Sequence, residues 1–287
     1  MNKPRIYTKV FNFVIFSNLF IALCAVIMSA FTQFVFKLEI STNFSAFVFF
    51  STLASYSVHW YLTDAATEIF SSRAPWLSAN KRVHFIFFVL STLGSSYFLF
   101  AEKKFFVWIL PAVFLTLLYT APKLPFPLFH SLKKHIWGKT FLLAAMWTYV
   151  TAILPLLIEE GNWHTQHWIF CINRFTLIFA ICILFDIRDK EHDKITGVKS
   201  VVTILNTPQL KKIFTISLLL CIISTILLYI HFQDIWLTTI LLLPAFLTYF
   251  LFNPAVKTTN DYLFYFILDG LMALSPILYF IEKLLSP

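Results

Sequence analysis

The chain has 287 residues, of which 59% are hydrophobic and only 13% are charged, and its formal net charge is +8. Soluble domains carry about 25% charged residues, so this composition excludes an ordinary water-soluble protein and indicates lipid as the main solvent. The four cysteines lie inside apolar runs without paired metal-ligand spacing, which argues against a disulfide framework or a zinc site.

Nine apolar segments follow one another along the chain. A membrane-spanning helix needs roughly 20 mostly apolar residues, and in lipid its backbone must satisfy its hydrogen bonds internally. The sequence therefore predicts an all-α, polytopic membrane helix bundle of about nine transmembrane helices, and residues 1–287 are predicted to form a single domain. The segments are Phe11–Phe36, Asn43–Leu62, Val83–Ala101, Phe105–Tyr119, Trp137–Ile158, His167–Phe185, Ile213–Phe232, Ile235–Phe252 and Asp261–Leu284.

Lysine and arginine are distributed unequally between the two sides of this predicted bundle. With the N-terminus in the cytoplasm, 17 of the 22 Lys and Arg residues fall in inside segments and 4 in outside segments. Cytoplasmic loops of membrane proteins carry such an excess, so we expect a cytoplasmic N-terminus in a multi-pass protein, with the bacterial inner (cytoplasmic) membrane as its location. The positive charge then requires no nucleic-acid partner and suits anionic lipid headgroups.

The most informative polar stretch follows the sixth apolar segment. If the helix continues through it, Asp186, Asp189 and Asp193 fall at 0°, 300° and 340° around the helix axis, on one narrow face about 10 Å long. Lys190 lies beside that face. Like charges this close repel one another and favour a cation, and Mg²⁺ is suitable because it prefers oxygen ligands. The alternative is a solvated cytoplasmic helix end with mixed charges.

A second acidic pair, Asp64 and Glu68, is spaced i, i+4 just past the second segment, on the same predicted side of the membrane. Basic residues lie in the loops of that side. Carboxylates and cations on one face favour a site for Mg²⁺ and a polyphosphate, although each lysine alone also fits the positive-inside bias. The basic residues are Arg73, Lys133, Lys134, Lys139 and Lys199.

Two charged residues fall inside apolar segments, Arg174 in the sixth and Asp269 in the ninth. Ionisable residues within a membrane are expensive and often functional. The simplest expectation is that they pair with each other and fix the bundle. Substrate contacts and a proton path are the alternatives.

With these residues in view, the chain resembles the UbiA superfamily of intramembrane prenyltransferases over its whole length. The stretch Asp186-Ile-Arg-Asp189-Lys-Glu-His-Asp193, followed by Gly197-Val-Lys199-Ser200, resembles the family's D-x-x-D-x-x-x-D segment with its trailing G-x-K/R-S/T. The first family motif, N-x-x-x-D-x-x-x-D, is altered. Its nearest match here is Trp60-x-x-x-Asp64-x-x-x-Glu68.

The resemblance implies a Mg²⁺-dependent transfer of a prenyl group from a prenyl diphosphate to an aromatic or lipid-like acceptor within the membrane. It implies that Asp64, Asp186, Asp189 and Asp193 are catalytic and that, together with Glu68, they hold Mg²⁺. The diphosphate-binding residues it suggests are Arg73, Lys133, Lys134, Lys190 and Lys199. The altered first motif leaves open a catalytically degenerate lipid-binding protein. A membrane transporter is a weaker alternative, because the chain shows few mid-membrane polar residues and no convincing repeat.

Overall fold

The computed structural model describes residues 6–39, 41–63, 73–101, 106–120, 138–159, 162–196 and 200–285. Within these ranges all regular structure is helical. The α-helices are α1 Ile6–Phe16, α2 Leu19–Val35, α3 Thr42–Leu62, α4 Arg73–Ala79, α5 Lys81–Ala101, α6 Phe106–Thr120, α7 Gly138–Thr148, α8 Leu154–Glu159, α9 Thr165–Thr196, α10 Val201–Ile204, α11 Thr207–Phe232, α12 Ile235–Lys257 and α13 Asp269–Leu285. Two π-helical segments, Tyr149–Ile153 and Leu263–Leu268, connect α7 to α8 and lead into α13.

The predicted apolar segments all coincide with helices in the described part of the chain. Six helical stretches there are long and apolar enough to cross a membrane, and the bent pair α1 and α2 gives a seventh. Helix α3 is long enough but less apolar, and α6 has only 15 residues. The chain is therefore an all-helical, multi-pass membrane protein, while nine spans and a cytoplasmic N-terminus stay predictions.

The first predicted segment, Phe11–Phe36, is not one straight helix. Helices α1 and α2 meet at 59°, and Asn18 between them adopts a left-handed conformation with φ 72°. The Asn18 side chain accepts a hydrogen bond from Arg73 Nη2 at 2.9 Å and contacts His84 Nδ1 at 3.5 Å. The break thus depends on residues far away in sequence, which an apolar run does not reveal.

Helix α9 occupies the centre of the bundle. Of its membrane-spanning window, 72% is buried, against 11% for α5 at the periphery. A helix that is apolar on all sides is suited to such a central position. It packs on α7, α11 and α12, and its C-terminal end carries the predicted aspartate face. All four cysteines are buried and free, as the sequence predicts.

Candidate active site at the end of helix α9

Helix α9 continues past the apolar segment to Thr196, which confirms the continuation on which the predicted aspartate face depends. Asp186, Asp189 and Asp193 turn toward the start of α7 and converge on a single ammonium group, that of Lys139. Lys139 Nζ donates hydrogen bonds to Asp189 Oδ2 at 3.1 Å and to Asp193 Oδ1 at 3.1 Å, and lies 3.3 Å from Asp186 Oδ1.

The site is half-enclosed by protein. The Asp186 and Asp193 side chains keep 4% and 3% of their surface, whereas Asp189 keeps 25% and Lys139 keeps 22%. The hydroxyl of Thr140, the residue after Lys139, donates a hydrogen bond to Asp186 Oδ2. Asp186 is thus fixed from two directions, and the open side of the site lies at Asp189 and Lys139.

Arg188 supplies the second cation of the site. Its Nε donates to Asp189 Oδ1 at 2.8 Å, so Asp189 binds one cation through each oxygen. Three carboxylates against the charges of Lys139 and Arg188 leave one net negative charge among these five groups. Such an imbalance in a partly dry site attracts a further cation.

A buried polar network extends from Arg188 to the segment that carries Arg73. The fully buried Asp261 accepts a hydrogen bond from the Arg73 backbone N–H at 2.6 Å, and its other oxygen lies 3.7 Å from Arg188 Nη1. The Tyr265 ring lies between the two guanidinium groups, at 4.8 Å from Arg73 Cζ and 4.7 Å from Arg188 Cζ. This network ties α4 and the start of the last membrane helix to the aspartate face.

Arg73 itself is buried. Its guanidinium donates to Asn18 Oδ1 and to the Phe16 carbonyl and stacks on the Trp60 ring at 3.8 Å. Burial lowers the pKa of this guanidinium from its ordinary value. Its predicted diphosphate contact stays a prediction, and the contacts in the structure are those of a residue that holds α1, α3 and α4 together.

The remaining predicted site residues divide into two groups. Lys190 is partly exposed beside the aspartate face, as its helical angle indicates, and forms no ion pair with another described residue. The others lie outside the described residues: Asp64, Glu68, Lys133, Lys134 and Lys199.

Sequence reasoning placed Lys139 near the site but did not make it a site residue, and it missed Thr140, Arg188 and Asp261. Position next to Asp189 is the one signal that could have singled out Arg188.

The donor set at this site fits Mg²⁺ in part. Among the described residues, no three His, Cys, Asp or Glu side chains are close enough together to form a complete metal cage. Mg²⁺ does not require one, since it typically takes one or two carboxylates and fills the rest of its shell with water and substrate phosphate. Asp189 and Asp193 both reach the position of the Lys139 ammonium, so a cation can share these two carboxylates.

The expected pairing of Arg174 with Asp269 is absent from the structure. Arg174, buried in α9, donates to Thr151 Oγ1 at 3.4 Å and lies over the Phe170 ring at 5.2 Å. The charges that act on Asp269 are instead those of Arg188 and Arg73. No ion pair joins Arg174 to Asp269 within the described ranges, so each charge needs its own explanation.

Comparison with known proteins finds one matching family and solved structures with a similar fold. The family model for the UbiA prenyltransferase family matches residues 77–268. Two solved structures of a UbiA homologue from Archaeoglobus fulgidus, one of them bound to DMAPP and Mg²⁺, superpose with a TM-score of 0.64 at 14% identity. In both cases the match covers 93% of this chain and 98% of the homologue. Curated protein sequences give no significant match.

Proposed function

Because the chain belongs to the UbiA prenyltransferase family, we propose that it transfers a prenyl group from a prenyl diphosphate to an aromatic or lipid-like acceptor within the membrane. The carrying observation is the convergence of Asp186, Asp189 and Asp193 on one cation at the end of α9. A structurally similar homologue binds DMAPP and Mg²⁺, which supports a diphosphate donor. The excess of basic residues in the predicted inside loops supports a site facing the cytoplasm of a bacterial inner membrane.

Asp189 and Asp193, with Asp186 behind them, would hold Mg²⁺, and Asp64 and Glu68 are proposed to complete its ligands from the other motif. When bound, Mg²⁺ would neutralise diphosphate oxygens and favour departure of this leaving group. Thr140 and Arg188 keep the aspartates oriented before substrate arrives, so that little reorganisation is needed during the reaction.

Lys139 has two roles in this proposal. In the resting protein its ammonium offsets part of the negative charge of the three carboxylates. With a metal ion and a diphosphate bound, Lys139 would turn toward the diphosphate and bind its negative charge, together with Lys133, Lys134, Lys190 and Lys199. Arg73 is proposed to support the site through Asp261, in addition to its predicted diphosphate contact.

The apolar helix bundle would supply two further conditions for prenyl transfer, the exclusion of water and the positioning of the prenyl chain and the acceptor. An allylic cation formed at the prenyl carbon would react with water. The buried helices around α9 would keep water away from this cation. The same helices would surround the prenyl chain with apolar side chains. The acceptor would be held close enough to attack the cation after its bond to the diphosphate breaks, and the acceptor would then lose a proton.

A catalytically degenerate, lipid-binding protein is the second candidate, and Trp60 is the observation that favours it. Trp60 occupies the place of the asparagine in the first family motif, and its ring covers the Arg73 guanidinium at 3.8 Å. An indole ring supplies no oxygen ligand to a metal ion. In this alternative the aspartate face binds a prenyl diphosphate or another lipid phosphate without turning it over.

The test is binding of a long prenyl diphosphate to the purified protein with and without Mg²⁺. The comparison variant carries Asp189→Ala and Asp193→Ala. The matched control is Glu191→Ala, which removes an exposed carboxylate of the same helix that pairs with Lys194. We expect Mg²⁺-dependent binding by the wild type and by the control, and at least a tenfold loss of affinity in the double variant.

Two results would contradict the proposal. Binding that survives in the double variant moves the diphosphate site away from these aspartates. Absence of binding by the wild type excludes a prenyl diphosphate as its ligand. If binding is as expected, release of diphosphate in the presence of acceptors separates the enzyme from the degenerate protein.

A further inference from the structure

Asp269 is a buried carboxyl group that the proposed donor site does not use. It opens helix α13, directly after the π-helical segment Leu263–Leu268, and keeps 8% of its surface. It forms no hydrogen bond or ion pair within the described part of the chain. A buried polar group without a partner costs free energy, so a ligand that supplies the partner would bind favourably.

The position of Asp269 relates it to the donor site. Asp261 lies at the level of Arg188, 3.7 Å from its guanidinium, and Asp269 follows eight residues later in the same helical stretch. Six of these residues form the π-helical segment, so Asp269 lies about two helical turns deeper in the bundle. Tyr265, midway between them, contacts both Arg73 and Arg188, so this helical face points toward the site.

The surroundings of Asp269 are buried and mainly apolar. Its neighbours Leu268, Leu271, Met272 and Ala273 are all buried. Its carboxyl group interacts electrostatically with Cys24 of α2, Tyr56 of α3 and Cys182 of α9. Asp269 therefore lies among helices from both halves of the chain, below the aspartate face.

The geometry points to Asp269 as the anchor for the acceptor, and to an acceptor that carries a hydroxyl group. This inference rests on the proposed prenyl transfer, and it narrows the acceptor to neutral, membrane-soluble phenols or alcohols. A carboxyl group hydrogen-bonds to a hydroxyl in either protonation state, because it accepts when ionised and can donate when neutral. An acceptor carrying a carboxylate is disfavoured when Asp269 is ionised, because like charges repel in a low-dielectric interior.

The π-helical segment before Asp269 agrees with this role. Such segments interrupt the regular α-helical hydrogen bonding and occur often at functional sites. Here the segment ends at Leu268, and Asp269 is the first residue after it.

The first experiment labels the carboxyl group directly in the full-length protein in detergent. Dicyclohexylcarbodiimide is apolar and modifies carboxyl groups in apolar surroundings, and the modified peptides are identified by mass spectrometry. The probe is 4-hexylphenol, and its methyl ether 4-hexylanisole is the matched control without a hydroxyl. We expect labelling of Asp269, at least a fivefold reduction by the phenol and little reduction by the ether.

If the phenol and the ether reduce the labelling of Asp269 equally, Asp269 does not recognise the hydroxyl group. If Asp269 is not labelled at all, its carboxyl group is not accessible to a ligand. Asp261, which has partners, is the internal control that stays unlabelled. An Asp269→Leu variant, which has a similar shape but no hydrogen-bonding atoms in its side chain, separates this inference from the proposed function. It should keep Mg²⁺-dependent binding of the prenyl diphosphate while losing at least fivefold in affinity for the phenol. A wild type that binds the phenol but no prenyl diphosphate would contradict the proposed function alone.

Discussion

At the scale of single residues, Lys139 holds together the three carboxylates of the proposed metal site. Its ammonium occupies the point on which Asp186, Asp189 and Asp193 converge. Three carboxylates facing one another without a cation would repel strongly in such a partly buried place. Lys139 therefore allows the bundle to fold with the site assembled.

The substitution Lys139→Met tests this balance. Without Mg²⁺ we expect a loss of stability on the order of 2 kcal/mol. Breaking a fully buried ion pair costs about 3–5 kcal/mol, and the loss here should be smaller because the Lys139 side chain keeps 22% of its surface exposed. Added Mg²⁺ should raise the melting temperature of the variant more than that of the wild type, because no ammonium competes with the metal.

Thermal unfolding in detergent with and without Mg²⁺ measures both effects. Lys194→Met is the control, since Lys194 pairs with Glu191 on the exposed side of α9 at 2.7 Å. Exposed pairs contribute about 0–1 kcal/mol, so this variant should resemble the wild type. Equal Mg²⁺ responses in Lys139→Met and wild type would refute the competition.

Asp261 is the residue on which the second network depends. It faces Arg188 and accepts the Arg73 N–H while being fully buried. Asp261→Asn keeps the shape but removes the negative charge between two buried cations, so we expect a loss on the order of 3 kcal/mol. Asp234→Asn is the control, because Asp234 caps α12 by accepting from the Leu237 N–H, and Asn caps as well as Asp. Thermal unfolding of both variants measures this loss. An Asp261→Asn protein as stable as the wild type would show that the network does not stabilise the fold.

At the scale of helices, Gly94 determines how closely α3 and α5 approach. A Cβ atom at Gly94 would lie 2.9 Å from atoms of the Phe50 ring, which is itself stacked on Phe98 at 5.8 Å. The ring cannot move away without losing this stacking. Glycine here allows close packing of two long helices, as small residues do at membrane helix interfaces.

Gly94→Ala should therefore lower the melting temperature. Overpacking costs about 1–3 kcal/mol, and the better helix propensity of alanine returns about 1 kcal/mol, so we expect a net loss of about 1 kcal/mol. Gly270→Ala is the matched control in another membrane helix, because its Cβ would lie 3.6 Å from Phe20 Cζ, an ordinary contact. If the two variants unfold at the same temperature, close approach at Gly94 does not limit the packing.

At the scale of the whole molecule, the proposed site requires that the loops after the second, fourth and sixth segments lie on one side of the membrane. Single cysteines at Arg82, Lys194 and Gln233 test this, because all three positions are exposed and the four native cysteines are buried. In intact cells, an impermeant maleimide should label Gln233→Cys and leave Arg82→Cys and Lys194→Cys unlabelled until the cells are opened. Labelling of Arg82→Cys and Lys194→Cys from opposite sides would exclude nine spans with one shared site.

The sequence by itself determines the helical, membrane-embedded character of this protein and the shared face of Asp186, Asp189 and Asp193. Both follow from local rules, since lipid requires internal backbone hydrogen bonds and 3.6 residues per turn align side chains three and four apart.

The tertiary structure alone decides which groups meet that face. Lys139 is 50 residues from Asp189 in sequence, and Arg73 is 188 residues from Asp261. The break at Asn18 and the separation of Arg174 from Asp269 likewise depend on how distant helices pack. Periodicity fixes the direction of a side chain on its own helix, but the neighbour it faces is set by the packing of the entire bundle.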